Sequence, residues 1–282
     1  MAKRANLWRK RRRALKKAVS AFRKGDPEGL HDVRVALRRI GATASALGEK
    51  SVSRRAKKLV RSLSDQRQLE VDRQLLARVR ELGVLSPDVA AGLDARWDGL
   101  WTAGVREAEN VVTGRPMRRL LRRLKRLDAG ARPEIARRLQ GARRSADRAI
   151  THPPGATLRS SASLRSTSGD NDRELHRYRI AVKRARYVLE DLAQLGTPRA
   201  EASAARLKAV QEALGRWNDV RLFRERLEST RREAEERGAV TLALELDHLL
   251  EALDRTVEKA RADALEAARP MSNLVVWRRR TA

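Results

Sequence analysis

Leu30-His31-Asp32-Val33-Arg34-Val35-Ala36-Leu37-Arg38-Arg39 aligns without a gap on a second stretch, Leu175-His176-Arg177-Tyr178-Arg179-Ile180-Ala181-Val182-Lys183-Arg184. The shared pattern is L-H-x-x-R-[VI]-A-[LV]-[RK]-R, and two of the chain's four histidines fall at the same place in it. At about 100° per residue in a helix, His31, Arg34 and Arg38 lie on a stripe ~60° wide. Leu30, Val33, Leu37 and Ile40 occupy the adjoining flank. The second copy repeats the layout, with His176, Arg179, Lys183 and Arg186 on one side and Leu175, Tyr178, Val182, Ala185 and Leu189 on the other. Each helix can therefore pack with one flank and carry a cationic ladder on the next, its rungs roughly 5 Å apart along the axis. Taken singly, such a stripe reads as a solvated face beside packing histidines. Its recurrence at matched positions argues for a selected surface, because solvated faces drift freely.

Outward from these two stretches nearly everything reads as helix. Apolar residues recur at intervals of three and four, Ala, Leu, Arg and Glu dominate, and alternating β-branched runs are missing. Breakers divide the pattern into helices over about 3–24, 27–47, 52–82 and 86–112. Gly114-Arg115-Pro116 opens a stretch to about 150, broken near Gly130 to Pro133. Residues 151–171, rich in Pro and Ser, read as a flexible loop, followed by helices over about 172–195, 198–237 and 239–269. The chain is thus a tandem duplication: residues 1–113 form a first four-helix repeat and 114–269 a second, with a basic tail over 270–282.

Charge repeats with the helices. Residues 1–24 hold eleven Lys/Arg and no acid, and residues 115–148 hold thirteen Lys/Arg against three acids. Residues 86–113 reverse this with five acids and two Arg, as do residues 239–269 with seven acids and four Lys/Arg. The formal net charge is +28, which points to a polyanionic partner that relieves self-repulsion. Arg outnumbers Lys 52 to 12. A GC-rich genome writes that bias, and planar guanidinium forks also match phosphate oxygens.

Other chemistry is hard to place on this chain. Cysteine is absent, so there are no disulfides and no thiolate metal sites. The basic start is not followed by an apolar signal core and no long uncharged run spans a bilayer, so a soluble cytoplasmic protein without a membrane partner is expected. Aromatics form 3% of the chain, too few for the stacking platforms of single-strand nucleic-acid binders. Phosphate loops, G-x-G-x-x-G and H-E-x-x-H are missing. His152 and His248 give no metal-ligand spacing, and no carboxylate cluster suited to Mg²⁺-assisted phosphoryl transfer is visible. We expect no cofactor, no metal and no catalysis.

At the duplicated histidine motif the chain resembles the CHAD family, the conserved histidine α-helical domain. The resemblance spans about residues 3–269. Its most specific parts are residues 30–39 and residues 175–190, the latter closing on Arg186-Tyr187-Val188-Leu189-Glu190. A weaker part, Leu214-Gly215-Arg216-Trp217-Asn218-Asp219, is eroded in the first copy to Leu63-Ser64-Asp65-Gln66-Arg67-Gln68. The resemblance implies an all-α fold of two four-helix bundles related by a pseudo-two-fold axis, with a basic groove or channel between them. It also implies binding of inorganic polyphosphate and association with polyphosphate granules. Carried over residue by residue, the ligands would be His31, Arg34, Arg38 and Arg39, with His176, Arg179, Lys183, Arg184 and Arg186. Many relatives carry a triphosphate-tunnel domain ahead of this one, and the chain shows none, so inherited hydrolysis is not expected.

Two other readings compete. A basic protein associated with nucleic acid could follow a phosphate backbone with residues 1–24 and 115–148, without reading sequence. A phosphoanhydride hydrolase would release orthophosphate in the presence of a divalent metal.

Overall fold

The computed structural model describes residues 7–26, 28–127, 132–150 and 168–269. Among these residues the chain is all-α: α1 (Leu7–Arg23), α2 (Gly29–Ala46), α3 (Lys50–Ser62), α4 (Ser64–Glu81), α5 (Pro87–Thr113), α6 (Arg115–Arg126), α7 (Arg132–Ile150), α8 (Ser168–Gln194), α9 (Ala200–Glu236) and α10 (Val240–Ala268). Local chemistry sets the ends. Gly25, at φ +81°, lets the chain leave α1 in a left-handed turn, and the Asp26 carboxylate then accepts a 2.9 Å hydrogen bond from the Glu28 N–H just ahead of α2. At Gly29 a Cβ would stand 2.4 Å from the Phe22 Cα, so only glycine lets α1 and α2 close into this hairpin.

Three expectations change. The single helix expected over 52–82 is two, α3 and α4, interrupted at Leu63 (φ −110°, ψ 11°), whose N–H turns back to the Val60 carbonyl. No glycine or proline marks this break. Its counterpart in the second copy, Leu214-Gly215, lies inside an unbroken α9. α8 begins at Ser168, inside the stretch read as loop; residues 151–167 and the tail 270–282 lie outside the described residues. Finally, among the described residues each half holds five helices instead of four, because α3 and α4 are separate and α6 is added ahead of α7.

The helices fall into two compact units that are divided along different lines from the sequence halves 1–113 and 114–269. The first unit draws on residues 1–63, 109–211 and 267–282, the second on 64–108 and 212–266. In the first, α2 packs on α1, α3, α7 and α8, α7 packs on α8, and α6 packs on α1 and α3. Leu15, Leu37, Ile40, Val52, Ala56, Leu120, Leu139, Val182 and Leu192 are wholly buried there. In the second, α4, α5, α9 and α10 enclose an apolar cluster containing Leu76, Leu93, Trp97, Phe223, Leu227 and Leu246. Trp97 and Phe223 meet edge to face with ring centroids 5.8 Å apart.

Over their sequence spans the two units differ sharply in charge. The second holds 16 Lys/Arg and 22 Asp/Glu, net −6, and the first holds the remaining 48 and 14, net +34. No described helix is long and apolar enough to cross a membrane.

Candidate functional site

Both histidine stretches lie in the cationic unit, and the helices that carry them are packing neighbours. The flanks sort as the helical wheel requires. Leu30, Val33, Leu37 and Ile40 are buried on α2, and Leu175, Tyr178, Val182, Ala185 and Leu189 on α8. Tyr178 adds a polar anchor: its hydroxyl donates a 3.1 Å hydrogen bond to the Ile150 carbonyl, tying α8 to the end of α7. Burial raises the pKa of that phenol well above its ordinary value, so it stays a neutral donor.

The ladders are less open to water than a solvated face. His31, Arg38, Arg39, His176, Arg179 and Lys183 are half-buried, Arg34 and Arg186 are only 6% and 9% exposed, and Arg184 alone among the nine is exposed. The two most buried rungs are those that the wheel sets nearest the apolar flank, about 280–300° from the histidine, so their stems are covered by the neighbouring core.

The ladders converge near their C-terminal ends. Arg39 of α2 and Arg186 of α8 both reach the Glu190 carboxylate, at 3.1 and 3.4 Å. Both guanidiniums also stand over the Tyr187 ring, 5.9 and 5.0 Å from its centroid. Two cations that would repel one another are thus held by one carboxylate and one aromatic face. One residue further, Asp191 is wholly buried and accepts hydrogen bonds from Arg11 of α1 and from the Thr43 hydroxyl of α2, the latter at 2.5 Å. Burial pushes this carboxyl above its usual range, and Arg11 and Thr43 pull against that rise. Asp191 thereby pins α1, α2 and α8 at one level. On the far side, Arg138 of α7 donates to the Leu47 carbonyl at 3.1 Å, capping the C-terminus of α2.

Of the nine candidate ligands, the structure brings Arg39 and Arg186 into direct common contact through Glu190 and Tyr187. Arg184 and Arg39 occupy the same place in the repeat and end differently: Arg39 is held by α8, whereas Arg184 faces water. Sequence reasoning missed Arg11, Thr43 and Asp191, for which the chain offers no local signal. Glu190 was within reach of it, because it stands four residues after Arg186, the spacing of a helical ion pair. The described residues contain no group of three or more His, Asp or Glu able to hold a metal ion.

The family model for the CHAD domain matches residues 6–228 of the sequence. The chain belongs to the CHAD domain family. Two solved structures share its fold. PptA from Streptomyces chartreusis matches with a TM-score of 0.67 and 18% identity, over 92% of this chain and 95% of that one. The crystal structure of the CHAD domain from the plant Ricinus communis matches with a TM-score of 0.60 and 20% identity, over 94% and 93% respectively. No match was found among curated protein sequences. The CHAD assignment covers both histidine stretches and both of the helices, α2 and α8, that form the paired ladders.

Proposed function

We propose that this CHAD chain binds inorganic polyphosphate without acting on it, along the ladders of α2 and α8. The observation that carries this reading is the packing of two histidine-bearing helices side by side in a unit of net charge +34, with their cations half-withdrawn from water. Exposed charges interact weakly with phosphates through water, whereas a partly desolvated row interacts more strongly at each rung. Arg34, Arg38, Arg179 and Arg186 present forks to phosphate oxygens, Lys183 a point charge, and His31 and His176 hydrogen-bond donors that gain charge as pH falls. The ladders form the walls of one basic groove, and the two halves of the chain follow one pseudo-symmetric four-helix plan, one member of which is divided into α3 and α4 in the first half while α6 is additional in the second. Residence in the cytoplasm on polyphosphate granules follows from the ligand.

Replacing His31, Arg34, Arg38, Arg179 and Lys183 together by Ala tests the site. Long-chain polyphosphate binding is expected to be lost while the helical circular dichroism persists; unchanged affinity sinks the proposal. Since Arg34 is buried, a lighter Arg38→Gln/Lys183→Gln variant provides a check less prone to misfolding, with an expected weakening of about tenfold, or roughly 1.4 kcal/mol. The absence of catalysis is tested by incubating the wild-type protein with polyphosphate and Mg²⁺ or Mn²⁺, where release of orthophosphate would overturn it.

A further inference from the structure

The chain carries a second cationic surface that the ladders do not use. α6 falls outside the repeated plan and contains seven Lys/Arg and no acid in twelve residues. Its stripe of Met117, Leu120 and Leu124 is buried against the body. Arg115, Arg118, Arg119, Arg122, Arg123, Lys125 and Arg126 are all exposed on the opposite side. Only Arg123 approaches a described carboxylate, Glu49, at a loose 3.7 Å. α3, on which α6 packs, adds exposed Arg54, Arg55, Lys57, Lys58 and Arg61, none of them ion-paired to a described acid.

The exposure of this charge differs from that of the ladders. At about 100° per residue the α6 cations spread over an arc of roughly 160°, as wide as the arcs of the ladder ligands, but every one of them is exposed, whereas all the ladder ligands except Arg184 are buried or half-buried. A row half-withdrawn between packed helices is open along a line, which suits one linear chain. A broad exposed arc presents cations on both flanks of the helix and suits a partner that offers phosphates on both flanks. Duplex nucleic acid does so, with one charge per about 1.7 Å of its axis when both strands are counted. A helix of twelve residues is roughly 18 Å long and lies beside about ten such charges, comparable to its seven cations. Other partners fit less well. None of the described aromatic side chains is exposed, which leaves single strands no stacking platform. Most of the apolar stripe of α6 is already buried, with Leu121 half-buried and only Pro116 exposed, which leaves too little apolar surface of its own for insertion into a membrane.

We infer that α6, supported by α3, is a docking surface for the phosphate backbone of double-stranded nucleic acid, separate from the α2–α8 ladders and indifferent to base sequence. The full chain carrying Arg119→Glu, Arg122→Glu and Arg126→Glu tests it by fluorescence anisotropy against a labelled duplex of about 20 base pairs. The same change in net charge placed elsewhere, as Arg78→Glu, Arg216→Glu and Arg255→Glu, controls for overall charge, since all three are exposed and form no ion pair with a described acid. The α6 variant is expected to lose at least about tenfold in duplex affinity, with the salt slope reduced by about 0.9 for each phosphate contact removed. The control variant and the ladder variant should each stay within about threefold of the wild type. Equal losses in the α6 and control variants overturn the inference, because bulk charge then accounts for binding. Loss of duplex binding in the ladder variant overturns it too, because there is then one site instead of two. A third contrary result is a wild-type chain that ignores duplex and binds phosphatidylserine vesicles through α6.

Discussion

The two compact units use the same residue, arginine, in opposite ways. In the unit of net charge −6, at least ten of sixteen Lys/Arg side chains meet a carboxylate, among them Arg73 with Asp98, Arg96 with Glu233, Arg224 with Asp254 and Arg231 with Asp247. In the cationic unit, the helices α1, α3 and α6 hold 21 Lys/Arg, and only Arg11 and Arg123 meet a described acid. A high arginine content therefore says little about ligand binding by itself. What separates the two regions is whether acids were placed within reach of the guanidiniums. Where they were, arginine stitches helices together; where they were not, it is available to something outside the chain.

The units share one device, a wholly buried aspartate met by an arginine from another helix. In the cationic unit it is Asp191 with Arg11, and in the other Asp72 with Arg226 at 2.5 Å, assisted by Gln68 at 2.8 Å. The surroundings differ. Arg11 is 6% exposed and Arg226 is 31% exposed. Arg11→Ala leaves a buried carboxylate with only Thr43, and is expected to destabilise the protein by about 3–5 kcal/mol in urea unfolding. Arg226→Ala should cost less, about 1–3 kcal/mol, because the place of the Arg226 side chain is more open to water, which can take over as a partner of Asp72. Equal losses would break the comparison and show that exposure does not set the strength of these pairs.

The same aspartates predict a dependence on pH. Burial raises both carboxyls above the ordinary value in the folded state, the other contacts only partly offsetting it. The folded chain then holds these protons more tightly than the unfolded chain does, so their contribution to stability falls as pH rises from the ordinary value through the raised one. Thermal unfolding followed from about pH 3 to about pH 7 should show this component, and Asp191→Asn should flatten it. A steeper fall in that variant would contradict the assignment. The smallest effect belongs to the surface stitching: Arg96→Ala is expected to cost less than about 1 kcal/mol, measured as a shift of the urea midpoint, since both partners in its 2.6 Å pair are over a third exposed.

Much of the architecture could be read from the chain because it is written in short-range periodicity. The buried flanks Leu30 to Ile40 and Leu175 to Leu189, the turn at Gly25 and the interruption between α6 and α7 all follow from spacing and from breakers. Leu63 was invisible because an ordinary leucine makes the break between α3 and α4, with neither glycine nor proline to announce it. The candidate site was legible in its rungs and not in its fastenings. His31, Arg34, His176 and Arg179 declare themselves by repetition. By contrast Arg11 and Asp191 are separated by 180 positions, and only the packing of α1, α2 and α8 brings them together. The depth of Arg34 and Arg186 was latent in the wheel, since both sit at the edge of the stripe that borders the core.

Glu190 has a consequence for any anion that arrives at the end of the ladders. Arg39 and Arg186 already share its carboxylate, so an incoming phosphate does not fall into vacant charge there but takes over from a resident counter-ion. On the proposed reading, capture at that end would be a swap, and so would departure, with the glutamate placed to reclaim both guanidiniums as one link of the guest lets go. A long guest would then be shed link by link, with the two arginines screened from each other throughout.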